Sequence, residues 1–362
     1  MPSLKIAVVG AGAIGQAHIR TLDETPGAVL AAIVDPSPVV RELAAQREIS
    51  WFPDINGLLT ADRPEGVIVA TPNSLHVPVA LDCIRAGIPV LVEKPIAETP
   101  AQAQVLCEAA EAAGVPLLVG HHRRHNPVIR KARELVRGGA LGSLVALNVL
   151  YTFLKPDSYF GISWRRSEAT GGGPILINLI HEIDLIRFIC GEIESIQAAT
   201  SSAQRGFEVE DTAAVLLRLE GGALATLILS DAASAPWSWD LASGENPSFA
   251  HSPVDTHFIC GSEGSLTLPR LKLWSYDGAR GWDHPIREEN VPAKPKNPFQ
   301  EQLLHFLAVV RQETPPLVTG RDAMRTLEAT LAVRDAARAQ RSVTLRPHEH
   351  SLPINLEPLD TP

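Results

Sequence analysis

The sequence predicts a doubly wound parallel α/β domain followed by an α+β domain built on an antiparallel sheet. Three observations predict it. Strand-like and helix-like segments alternate through the first third of the chain, which implies right-handed βαβ units. A glycine-rich turn, Gly10 to Gly15, joins the first strand to the first helix. Beyond Val119, strand-like segments joined by turns dominate, as in an antiparallel sheet.

Each element follows from local pattern. Leu4 to Val9 reads as a strand and Ala13 to Leu22 as a helix. Val29 to Val34 is a second strand ending at Asp35, and Gly66 to Ala70 a third, ending in Thr71-Pro72-Asn73. Ser74 caps a helix that carries Val77, Leu81 and Ile84 on one face and stops at Gly87. Ile88 to Val92 is apolar without alternation, as a strand covered on both faces should be. It runs into Glu93-Lys94-Pro95. A helix from about Ala101 to Ala113 stops at Gly114, and Val115 to Val119 is the next strand.

In the second half Asn126-Pro127 opens a helix that ends at Gly138-Gly139. Strands are expected at Leu144 to Phe153, Ile193 to Thr200, Thr212 to Leu219, Ala223 to Leu229, His257 to Cys260 and Ser265 to Leu268. Glu220-Gly221-Gly222 makes a hairpin between two of them. Two long loops, Asp231 to Asp255 and Asp277 to Asn297, have the length of lids or interface elements. Helices near Pro298 to Arg311 and Arg321 to Gln340 close the fold. The expected division is residues 1–122, residues 123–345 and a Pro-rich tail, 346–362.

Composition narrows the function. A chain of 362 residues, 45% hydrophobic, has material for two packed cores. Its net charge of −9 argues against nucleic acid as a partner. No apolar run reaches the roughly 18 residues that span a bilayer, so no membrane partner is expected. The strand at Leu4 leaves no room for a signal peptide, and the expected location is cytoplasmic. Cys83, Cys107, Cys190 and Cys260 lie far apart and match no metal-ligand spacing; reduced thiols are expected.

The chemistry gathers at strand ends, where ligands of open α/β sheets bind. In the first turn Gly10 makes the tight bend and Gly12 lets a pyrophosphate approach the backbone. Gly15 lets the helix, which starts at Ala13 and Ile14, pack on the strand. Asp35 ends the second strand where a ribose-binding acid belongs, so NAD is the expected cofactor. Arg41 keeps NADP open, and Asp35 also reads as a turn-forming acid before Pro36. Lys94 is a charge placed at a reaction site.

A second polar group follows Gly171-Gly172-Gly173-Pro174. A helix there carries an apolar stripe of Ile175, Leu176, Leu179, Ile180, Ile183 and Ile186, with Asn178, His181 and Asp184 on a neighbouring face. His181 is the expected acid/base, and a carboxylate one turn away orients it. Lys155, Tyr159, Trp164 and Arg165 precede this helix in a loop that overhangs the pocket, a mixture suited to a polyhydroxy or carboxylated ligand; a solvated surface loop is the other reading. Trp237 and Trp239 pack against a ring or against a neighbouring subunit. His121, His122 and His125 precede a helix, which suits a basic loop facing cofactor or substrate better than a metal site.

These segments together resemble the Gfo/Idh/MocA oxidoreductase family over nearly the whole chain. The resemblance rests on KIAVVGAGAIGQAH at the start, ATPNSLH after the third strand, EKP at Glu93 to Pro95 and GHHRRHNP from Gly120. GGGPILINLIHEIDLIRF and TGRDAMRTLEATLAV complete it. It implies a Rossmann domain, a second domain with a large open antiparallel sheet, and a homodimer or homotetramer formed through that sheet. It implies cofactor contacts from Thr71, Pro72, Asn73, His76, Glu93 and Lys94, and substrate contacts that include Arg124. Lys94 would meet the nicotinamide side and the substrate hydroxyl. The implied reaction is reversible oxidation of a secondary alcohol on a sugar, cyclitol or related ring diol. The rival readings are glycosidic cleavage by transient NAD oxidation and a catalytically silent dinucleotide sensor. One position departs from the family pattern: an aspartate is usual four residues before the histidine, and here Ile177 stands there. Asn178 is then a substrate contact, and Asp184 the candidate to orient His181.

Overall fold

The computed structural model describes residues 2–61 and 63–346, so all but the first residue of the expected tail lies outside the described residues. The first lobe is a six-stranded parallel sheet. Its strands are β1 (Leu4–Val9), β2 (Ala28–Val34), β3 (Ser50–Phe52), β4 (Gly66–Val69), β5 (Val90–Val92) and β6 (Leu117–Val119). Their spatial order is β3-β2-β1-β4-β5-β6, so the order reverses at β1. That reversal opens a crevice beyond the carboxyl ends of β1 and β4. Every residue of β4, β5 and β6 is buried, which is why their sequences are apolar without alternation.

Helices α1 (Ala13–Glu24), α2 (Pro38–Gln46), α3 (Ile55–Ala61), α4 (Asn73–Arg85) and α5 (Pro100–Ala113) connect these strands. The α4 helix starts at Asn73 with no side-chain cap, so Ser74 is inside the helix and does not cap it. Thr99 and Gln102 form a reciprocal capping box on α5. The α6 helix (Pro127–Arg137) begins as expected, with the Asn126 side chain accepting from the Val128 amide.

A second, nine-stranded sheet runs β14-β13-β12-β11-β7-β10-β9-β8-β15. Its strands are β7 (Leu144–Thr152), β8 (Ile193–Ser201), β9 (Thr212–Leu219), β10 (Leu224–Ser230), β11 (His257–Gly261), β12 (Gly264–Leu268), β13 (Lys272–Ser275), β14 (Arg287–Asn290) and β15 (Val343–Thr344). The sheet is mostly antiparallel, as expected, with one parallel pairing, β7 with β10. The physical reason is the connection after β7. It crosses over through a buried helix and returns β8 in the direction of β7, and two antiparallel pairings then bring β10 back beside β7.

The expected loop over 277–297 contains β14, paired with β13. Its sequence, Arg-Glu-Glu-Asn, is wholly exposed and carries no alternation, so no strand signal existed. The loop from Asp231 likewise holds a short helix, α8 (Trp239–Ala242). The α9 helix (Pro298–Val310) returns to the first lobe: Leu303, Phe306 and Leu307 pack with Ile6, Ile19, Ile33 and Ile68. The α9 helix therefore closes the core of the lobe that precedes it in sequence.

The crossover helix, α7 (Ile180–Cys190), is buried from Ile180 to Ile189 on every side. It packs against α6 and against α10 (Gly320–Ala339). Its entry is a π-turn over Ile175–Leu179, where the Ile180 N–H reaches back to the Ile175 carbonyl. The expected uniform helix therefore has one widened turn.

Candidate active site

The crevice at β1 is shaped for a dinucleotide. Gly10 has φ +88°, and a side chain on it would strike the Ala70 carbonyl at 2.6 Å. At Gly15 an added Cβ would lie 1.9 Å from the Gly10 carbonyl. Gly12 is the opposite case, with nothing within 4 Å of its absent Cβ. Ala13 and Ile14 are exposed beside it. The N-terminus of α1 has no capping side chain and no acid in its first turn, so its amides are free to meet a phosphate. Among the described residues the buried Thr71 hydroxyl also lacks a hydrogen-bond partner. These features fit NAD.

Asp35 sits at the mouth. One carboxylate oxygen accepts from the Ala11 amide at 2.8 Å and the other from the Ser37 amide at 2.9 Å. Arg41 lies over the Trp51 ring at 5.3 Å, and Trp51 donates to the Asp35 carbonyl. Pro72 is exposed, and Asn73 lies against Gly171 of the second lobe. His76 and Glu93 are placed differently from Asp35: both are buried beneath the crevice. His76 spans the Thr71 and Pro95 carbonyls at 2.9 and 2.7 Å. Glu93 accepts from the Lys94 amide at 3.2 Å and pairs with His18 at 2.8 Å. Burial pushes its carboxyl up, but His18, Lys94 and His76 together hold it below the usual range.

The strand β5 delivers Lys94 toward the second lobe, where its ammonium donates to the Ile177 carbonyl at 3.0 Å. That carbonyl lies in the π-turn. Residue 177 therefore holds Lys94 through its main chain, which the isoleucine side chain gave no reason to expect. Burial draws the Lys94 ammonium down to about 8, with Arg123 and Lys155 adding repulsion against the pull of Glu93 and Asp240.

His181 follows one turn later. Its ring is edge-on to His122 (centroids 5.4 Å) and to His121 (6.4 Å). Among the described residues neither of its ring nitrogens has a hydrogen-bond partner. Burial holds it well below the ordinary histidine value, and Lys94 and Arg123 push it the same way. Both effects favour its neutral form.

Asn178 bridges the site wall, accepting from Lys155 at 2.6 Å and donating to the Tyr151 hydroxyl at 3.0 Å. Tyr151 donates in turn to Asp240, which also pairs with Arg123 at 2.8 Å. The other end of Arg123 meets Glu182 at 2.6 Å, and Glu182 meets His257 at 2.7 Å. Tyr159 lies between Lys155, at 4.6 Å, and the Arg165 guanidinium, at 3.9 Å, while Trp164 is exposed.

Two expected site residues turn away. Arg124 clasps Asp184 with bonds of 2.8 and 2.6 Å and also meets Asp322. Thr326 completes the shell of Asp184 at 3.0 Å. Asp184 thus gives its oxygens to Arg124 and Thr326, not to His181. Buried charges must be paired, and here the two side chains pair with each other and with Asp322 and Thr326. His125 packs on His305, and among the described residues no cluster of three metal-ligating side chains occurs. The sequence reading missed Tyr151, Asp240 and His257; each lies on a strand or long loop with no motif around it.

Profiles of known families match residues 4–121 as an oxidoreductase family with an NAD-binding Rossmann fold, and residues 129–267 as the GFO/IDH/MocA C-terminal domain. Inositol 2-dehydrogenase 2 of Saccharopolyspora erythraea is 30% identical over 294 residues, covering 77% of this chain and 78% of that protein. The chain belongs to the Gfo/Idh/MocA oxidoreductase family. The rhizopine catabolism protein MocA of Rhizobium meliloti is 32% identical over 202 residues, 56% of this chain and 62% of that protein. The fold matches that of the WlbA dehydrogenase of Bordetella pertussis, crystallised with NADH and UDP-GlcNAcA. The TM-score is 0.78 at 21% identity, over 96% of this chain and 100% of that one. This chain is thus an oxidoreductase of a sugar and cyclitol family, with an NAD-binding domain.

The glycine geometry separates folding from cofactor binding. Gly15→Ala is expected to lose about 1–3 kcal/mol of stability in denaturant titration, as overpacked sites do. Gly12→Ala should keep its unfolding midpoint and bind NAD about tenfold more weakly, equivalent to about 1.4 kcal/mol. Equal stability loss in both variants would contradict this assignment.

Proposed function

We propose that the protein reversibly oxidises a secondary alcohol on a sugar, cyclitol or related ring diol. The observation that carries this reading is the bond from Lys94, across the two lobes, to the Ile177 carbonyl, one turn before His181. Bound NAD supplies the hydride acceptor for the carbinol carbon. Gly10, Gly12, Ala13, Ile14, Gly15, Asp35 and Thr71 would hold it.

His181, neutral and unpartnered, takes the hydroxyl proton at a ring nitrogen. The charged Lys94 donates to the same oxygen and steadies the negative charge that develops there. Asn178 and Lys155 offer polar contacts to neighbouring hydroxyls, and their own mutual bond fixes their orientation before a ligand arrives. Lys155 is itself held by Asp231 at 3.4 Å.

The outer face of the large sheet supports a homodimer or homotetramer. Leu216, Leu224 and Ile228 are exposed on adjacent strands, with Leu216 opposite Thr226 and so diagonal to the other two. An apolar face of this kind usually marks an interface. Light scattering on the full chain should read two or four subunits, and Ile228→Glu should lower that number. A monomer at micromolar concentration would remove this assembly.

For the chemistry, NADH production is measured with a panel of inositols, sugars, sugar acids and aromatic dihydrodiols. Lys94→Ala and His181→Ala should each lower turnover at least about a hundredfold, with NADH binding retained. Near-normal turnover in either variant would remove that residue from the mechanism.

A further inference from the structure

Asp240 is a carboxylate that the chemistry above leaves unused. It lies on α8, in the long loop after β10, and that short helix is anchored on both sides. Trp239, the residue before it, is fully buried and meets His257 edge-on, with ring centroids 5.7 Å apart. Ser238 caps the helix by accepting from the Leu241 amide at 3.3 Å. Among the described residues two donors meet the carboxylate: Arg123 on Oδ1 at 2.8 Å, and the Tyr151 hydroxyl on Oδ2. A carboxylate offers about four acceptor positions, so both oxygens keep capacity for more.

Exposure separates Asp240 from the other acids of this network. The side chains of Glu182 and Asp184 are 0% and 2% exposed, whereas that of Asp240 is 23% exposed. Its two donors, Arg123 and Tyr151, are themselves buried. The network therefore reaches solvent at this carboxylate, and it does so beside the site wall. The Tyr151 hydroxyl also accepts from the Asn178 amide at 3.0 Å, and Asn178 accepts from Lys155 at 2.6 Å. Asn178 stands one turn before His181. Burial lowers both Lys94 and Lys155, and Asp240 is among the carboxylates that oppose this.

We propose that Asp240 is a specificity residue: it accepts substrate hydroxyls that flank the reacting carbinol, and so selects an uncharged ring polyol over a sugar acid. The assignment rests on the dehydrogenase reading above. A hydroxyl gives a carboxylate a charge-assisted bond, while a ligand carboxylate placed there meets like charge. The cations of the wall are already engaged. Arg123 is shared between Asp240 and Glu182, and Lys155 pairs with Asp231 at 3.4 Å. Arg165 lies over the Tyr159 ring at 3.9 Å and donates to the Tyr159 carbonyl. Lys94 serves the reacting oxygen. Because Arg123 and Tyr151 fix the carboxylate before a ligand arrives, little of its freedom is lost on binding.

The test measures NAD reduction by the full chain, unaltered and as Asp240→Asn, with the inositols, sugars and sugar acids of the panel. The unaltered protein should prefer its best uncharged polyol to every sugar acid by about tenfold or more in kcat/KM. Asp240→Asn should raise KM for that polyol about tenfold, change kcat less, and narrow the preference over sugar acids. NADH binding, read by fluorescence, should be unchanged. If Asp240→Asn does not fold, the substrate ranking of the unaltered protein decides. A sugar acid as the best substrate, or an unchanged KM in Asp240→Asn, overturns this assignment alone. An unaltered protein that reduces no NAD with any substrate overturns the dehydrogenase reading, and the role of Asp240 with it.

Discussion

The structure depends on one constraint: a helix carrying Asn178, His181, Glu182, Asp184 and Arg187 near or along its length is buried on all sides. Charges and amides removed from water must find partners inside the protein or destabilise it. Nearly all of them do. Glu182 is met by Arg123 and His257, Asp184 by Arg124 and Thr326, and Arg187 by Glu192, Asp322 and Thr326. Asn178 is met by Lys155 and Tyr151. Among the described residues His181 is the exception.

The partners also explain how two lobes hold one site. Arg123 and Arg124 follow the last strand of the first sheet, yet their guanidinium groups are spent on carboxylates of α7, α8 and α10. Burial opposes their charge, but the facing carboxylates raise both above the ordinary arginine range. These clasps fasten the carboxyl edge of the parallel sheet to α7. Lys94 then crosses the remaining gap to a carbonyl of the π-turn. A widened turn shifts its carbonyls out of the regular ladder, and such turns are frequent at functional sites. Here the shifted geometry gives a cation a neutral acceptor, which positions the ammonium without cancelling its charge.

The sequence made much of this legible. Periodicity located the βαβ units, and the three glycines carried separate reasons that their neighbourhoods repeat: a crowded Gly10 and Gly15 around an open Gly12. The junction of Val92 with Lys94 showed where a charge had been placed. What stayed hidden was long-range. The pairing of Arg124 with Asp184 joins residues 60 apart, and nothing in either segment names the other. Main-chain contacts were hidden too, because the isoleucine at 177 says nothing about its carbonyl. The exposed strand β14 failed for a third reason, since an edge strand in water needs no alternation.

Two displaced protonation states follow from the same burial and give the account its most direct test. His181 is held well below its ordinary value, so it stays a neutral base under mildly acidic conditions. Lys94 is drawn down to about 8, so it keeps its charge up to that point and loses it beyond. The decisive measurement is the pH dependence of kcat/KM for NAD reduction, which reports the free protein. The account predicts a plateau that extends well below pH 6.5 and falls as pH rises through about 8. An acidic limb at the ordinary histidine value of about 6.5, with no decline near 8, would contradict it.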